Sequence, residues 1–200
     1  MSDAAPGQDA PLRRVVLFVA LANLAYFGVE FAVATAIGSV SLFADSVDFL
    51  EDASVNLLIL LALGWTAGRR AALGMGLAAL LLAPGVATLW TAWLRFNSHA
   101  APNAAALSLA GLGALAVNLT CAFMLARHRH HSGSLTKAAF LSARNDAIAN
   151  VAIIAAGLAT AATRSRWPDL VVGLGIAVMN ADAARAVWRT ARAERRQAAP

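Results

Sequence analysis

Residues 39–56 read SVSLFADSVDFLEDASVN and put four carboxylates, Asp45, Asp48, Glu51 and Asp52, inside a stretch that otherwise has the composition of an apolar helix. On a helix turning about 100° per residue, Ser41, Asp45, Asp48, Asp52 and Asn56 fall within a stripe roughly 80° wide, with Glu51 off its edge. One face of the segment is therefore polar and acidic. Val40, Leu42 and Phe43 flank it on one side and residues 57–63 on the other, which makes the helix long enough to cross a bilayer. A carboxylate at the centre of such a span costs at least about 2.5–3.5 kcal/mol, so acids there are expected to bind something. Asp48 and Asp52 are four residues apart, and their oxygens can share a cation with a neighbouring helix.

The whole chain has the same character. Its 200 residues are 60% hydrophobic and 14% charged, with a mean hydropathy of +0.64, too apolar for a soluble domain of this size. A multi-pass integral membrane protein is expected, with the lipid bilayer as its surroundings. Six apolar segments stand out, at 13–37, 40–65, 70–95, 103–127, 135–162 and 168–190, each near or above the roughly 20 residues that span the hydrocarbon. The expected fold class is all-α, a six-helix transmembrane domain over 13–190. A disordered tail at 1–12 precedes it and a basic tail at 191–200 follows.

Orientation follows from the basic residues. Of the 16 Lys and Arg, 12 lie at the termini and the even-numbered connections, three (Arg95, Arg164, Arg166) in the odd-numbered ones, and Arg144 within the fifth segment. This imbalance places both termini in the cytoplasm. It also accounts for the net charge of +5 without nucleic acid as a partner. The single cysteine, Cys121, excludes a disulfide framework or a cysteine-based zinc site within one chain.

The fifth segment supplies a second polar face. Ser142, Asp146 and Asn150 follow one another at four-residue spacing, and Arg144 points nearly the other way. This segment runs outward and the second runs inward, so Asp146 and Asp52 are expected at similar depth. In the first segment Asn23 and Glu30, seven residues apart, can both face the interior, Glu30 either in transport or as a hydrogen-bonding residue between helices. Asn118 is the strongly polar residue deep in the fourth segment. Asp169 is expected to be a solvated helix-start residue, and Trp90 and Trp93 an interfacial belt.

The run GSVSLFADSVDFLEDAS resembles the second transmembrane helix of the cation diffusion facilitators, proton-coupled exporters of divalent metals, with Asp48 and Asp52 at the positions of its DxxxD or HxxxD motif. The resemblance implies a six-helix bundle of that type, and in the fifth helix an HxxxD motif that joins the two acids in a tetrahedral site. Asp146 matches that motif's Asp, whereas Ser142 stands where His is expected. A Ser hydroxyl is a poor zinc ligand, and an all-oxygen set suits harder ions, so the metal is left open within the Zn, Co, Cd, Mn and Fe class. Asp48, Asp52, Asp146, Ser142 and Asn150 are the expected metal residues. His128, His130 and His131, at the cytoplasmic end of the fourth segment, are candidates for metal capture, since the family often has a His-rich loop there. The basic stretch after residue 190 is expected to end the chain, without the cytoplasmic ferredoxin-like domain with which members of the family usually continue.

The resulting expectation is a secondary transporter, not an enzyme, that exports a divalent cation by proton antiport. The bacterial inner membrane is its expected location. Metal and protons are its small partners, a second copy of the chain is a candidate partner, and no cofactor is expected to be tightly bound. The alternative is a non-transporting membrane subunit that pairs with a complete transporter. An intramembrane aspartyl protease would need a GxGD motif, and Gly173-Leu174-Gly175 is followed by Ile176. A phosphate-binding glycine loop, which ATP-driven pumping would require, is absent from the sequence.

Overall fold

The computed structural model describes residues 9–62, 86, 88–96, 100–127 and 133–197. These residues form helices and no strands. The helices are α1 (Asp9–Ile37), α2 (Val40–Ala62), α3 (88–96), α4 (Ala104–Ala126), α5 (Gly133–Thr163) and α6 (Trp167–Gln197). Most of the third apolar segment, including Gly74, Gly76, Pro84 and Gly85, lies outside the described residues, as do His128, His130 and His131. The all-α membrane fold expected from the sequence is the one observed.

Hydropathy alone explains only some of these helices. The stretches Arg13–Ile37, Ala104–Ala126 and Asp146–Thr163 are long and apolar enough to cross a membrane by themselves. The helix α2 fails that criterion because of its acids, yet it packs against α1, α4, α5 and α6 and is the centre of the bundle. Two helices outrun their apolar segments. The first begins at Asp9 and the last continues to Gln197, because a helix does not need hydrocarbon around it to keep its internal hydrogen bonds.

The side chains are distributed as a bilayer demands. Leu17, Phe18, Leu21, Leu112, Phe123, Leu158 and Val178 are among the exposed large apolar residues, whereas Asn23, Glu30, Asp45, Asn56, Asn118 and Asn150 are buried. Trp90 and Trp93 are exposed on α3, as an interfacial belt requires. A central apolar cluster joins Ala34, Leu42, Ala44, Leu107, Ala110, Ala149, Ile153 and Ile176 from five helices. Cys121 is buried in a second cluster with Val19, Ala122 and Leu125. Small residues let α4 and α5 approach closely, with Gly111 against Ile153 and Gly157 against Ser108.

The start of α2 is fixed from both sides. Gly38 takes a positive φ of 66°, which ends α1 and turns the chain, and a Cβ there would overlap the Arg95 guanidinium of α3. Ser39 then caps α2, its Oγ accepting from the Leu42 backbone N–H at 3.1 Å. Asp169 of α6 completes the joint. Its carboxylate accepts from Ser39 Oγ at 2.6 Å, from Val40 N at 2.9 Å, from Ser41 N at 3.2 Å and from Ser41 Oγ.

The expectation of a solvated Asp169 is thus overturned, since the residue is only 2% exposed. Its charge is balanced by four donors and by the positive end of the α2 dipole, so it has no need of water. Four residues further along α6, Gly173 lies against the same α2 turn, where a Cβ would come within 2.7 Å of Ser41 N. Phe96 of α3 meets Trp167 edge-on at 5.7 Å, and its carbonyl accepts from Arg166 at 2.9 Å, closing this end of the bundle.

Asp169→Ala leaves the Ser39, Val40 and Ser41 donors buried without their acceptor and is expected to cost about 2–4 kcal/mol. Its thermal unfolding midpoint in detergent should fall clearly below that of the parent. Gly175→Ala, where a Cβ meets nothing within 4 Å, is the control and should leave the midpoint unchanged or raise it.

Candidate functional site

The α1–α2 hairpin sets the depth of each acid. Counting from Gly38, Tyr26 precedes the turn by about as many residues as Phe49 follows it, and their rings lie 5.0 Å apart. The same register brings Glu30 of α1 opposite Asp45 of α2. Asp48 and Asp52 continue the acidic face of α2 away from the turn, each about one helical turn beyond the previous acid. There α2 meets α5.

At that meeting the acids converge. Asp146 and Asp52 face each other at hydrogen-bonding separation, and Asp48 and Asp146 repel one another across the same contact. The acids of α2 and α5 thus form one field of negative charge, into which Glu30 also reaches through Asp45 and Asp48. Exposure divides the field in two. Asp48, Glu51, Asp52 and Asp146 are partly accessible, whereas Glu30 and Asp45, nearer the Gly38 turn, are fully buried.

Two asparagines repeat one local arrangement. The Asn56 Nδ2 donates to the Asp52 backbone carbonyl at 2.7 Å, and the Asn150 Nδ2 donates to the Asp146 carbonyl at 2.8 Å. Each amide is oriented by that bond, and in each the Oδ1 is buried without a partner. Both helices therefore present an aspartate followed four residues later by an uncommitted amide oxygen. Hard oxygen donors of this kind suit a cation that keeps part of its water.

Of the residues expected from the sequence, Asp48, Asp52 and Asp146 come together, with Asn150 on the same face of α5. Ser142 is on α5, its side chain outside those described. Among the described residues no three His, Cys, Asp or Glu side chains are grouped closely enough to hold a metal ion as they stand. The sequence reading did not include Asp45 and Asn56 among the site residues. Both lay on the polar stripe of the opening stretch, and the hairpin register would have matched Asp45 to Glu30.

The transmembrane-domain model of cation efflux proteins matches residues 16–194, which covers all six helices. The chain belongs to the cation efflux family. No curated protein matches it. Cation efflux proteins are integral membrane transporters and not enzymes. The resemblance read from the second segment is the family found by the match.

Like charges held this close oppose folding unless a cation or proton separates them. Asp146→Asn removes one of them and keeps the side chain's shape. In metal-free detergent its unfolding midpoint should exceed the parent's, and a fall in midpoint would contradict repulsion among these acids.

Proposed function

We propose that the chain exports a divalent metal cation of the Zn, Co, Cd, Mn and Fe class from the cytoplasm in exchange for protons. Asp48, Asp52 and Asp146 are the ligands, Asn150 an oxygen donor beside them, and Ser142 a residue that orients a ligand or a bound water. The reading rests on one observation above all, the approach of the α2 acids to Asp146 of α5 within an apolar bundle. Proton exchange follows from the ligands themselves. Carboxylates must be free of protons to take a metal ion, and protons arriving from the other side displace it.

Both termini lie in the cytoplasm in this reading, as the distribution of basic residues favours, and the membrane is the bacterial inner membrane. Movement of the helices about the central acids exposes them to the two sides in turn. The ion is cargo, held loosely enough to leave. An open arrangement of acids and amide oxygens supports that better than a closed cage would.

In proteoliposomes with an imposed pH gradient, the parent should take up at least one metal of the class, and dissipating the gradient should slow the uptake. Asp48→Ala and Asp146→Ala should each lower the rate by about 100-fold or more, the effect of removing one partner from a buried charged site. If both variants transport as well as the parent, the ligand assignment is wrong.

A further inference from the structure

The Glu30 and Asp45 carboxyls lie outside the proposed ligand set and share an unusual environment. Both residues are 0% exposed, and none of their four carboxyl oxygens meets an N–H or O–H donor. They face each other at hydrogen-bonding separation, Glu30 from α1 and Asp45 from α2. The one hydroxyl on the neighbouring turn of α1, Tyr26 Oη, is committed to the Ala110 carbonyl at 2.6 Å. Two sealed carboxylates cannot both remain ionised without a positive charge between them.

A proton fits that role better than a metal ion does, because the pair is sealed from the water that a divalent metal held by two carboxylates would need to complete its shell. A proton needs only two oxygens, and it turns two unpartnered acceptors into a donor and an acceptor. Among the described residues, the titratable groups that interact with the pair are acidic or neutral: Tyr26 on α1, Asp48 on α2 and Asp146 on α5. Asp169 of α6, at the start of α2, is taken up by its own four donors.

We propose that Glu30 and Asp45 form a proton-holding pair, separate from the cation ligands, that carries one of the protons exchanged for metal. The inference rests on the transport reading above and adds a second station to it. Asp45 is three residues, about 4.5 Å of helix rise, from Asp48, so a cation arriving at Asp48 is felt by the pair. Metal at the ligands favours loss of the proton from the pair, and departure of the metal favours its return. Exchange is then reinforced by charge across one turn of α2, beside the competition of protons and metal for the ligand oxygens.

The test uses the full chain with Glu30→Gln and, as a second variant, Asp45→Asn, each close in shape to the residue it replaces. In weakly buffered detergent solution, each should release about one proton fewer per bound ion than the parent. Metal affinity, read by calorimetry, should fall by about tenfold in each variant and depend less steeply on pH than the parent's, because no proton leaves the pair as metal binds. Infrared spectra of the metal-free parent should show the carbonyl band of a protonated carboxylic acid that weakens in either variant. Unchanged proton release and an unchanged band in both variants would overturn the pair. If the parent itself moves no metal in liposomes, the transport reading fails, while the infrared band still decides whether Glu30 and Asp45 hold a proton.

Discussion

A carboxylate inside hydrocarbon must be matched by a donor, a proton or a cation, and this protein meets that requirement in three ways along one helix. At its start α2 has Asp169 beneath it, matched by four hydrogen-bond donors and a helix terminus. One turn in, Asp45 meets Glu30 with no donor at hand. Further on, Asp48 and Asp52 meet Asp146, partly open to their surroundings. The same chemical group thus serves as a fastener, a sealed pair and an accessible site, according to what surrounds it.

The apolar frame exists to hold that sequence of acids at fixed depth. The clusters around Ile153 and Leu107 and around Cys121 are built from small and branched side chains that fill the spaces between helices without reaching the polar stripe. Large apolar residues are left to face lipid. Glycines at helix contacts bring backbones together where the polar face needs close neighbours, as at Gly173 against the first turn of α2. Packing and polarity are therefore arranged inside out relative to a soluble domain, and the interior is where specificity resides.

Much of this was legible in the sequence. The apolar segments gave the helices, and four-residue spacing gave the stripe of Asp48 and Asp52 and the matching face of Asp146 and Asn150. Equal depth on antiparallel segments brought the two faces together. What escaped was contact between residues distant in the chain whose chemistry looked ordinary. Asp169 read as solvated because an acid in the first turn of a helix is usually so, and nothing local shows that another helix begins on top of it. Asp45 stood in plain view on the stripe, but its partner is fixed by the register of a hairpin, which depends on a single left-handed glycine. Helix ends were misjudged for a simpler reason: hydropathy marks where lipid stops, not where hydrogen bonding does.

The joint at Asp169 constrains how the bundle can move. A helix whose first two backbone N–H groups are held by a neighbour's side chain cannot slide along that neighbour without breaking all of those bonds together. It can only swing, and the arc it sweeps grows with distance from the fulcrum. In such a swing Asp45, close to the fulcrum, would hardly move, while Asp52 and Asn56 would travel further. Leverage along one rigid rod would thus let the sealed end of the helix stay shut while its far end opened.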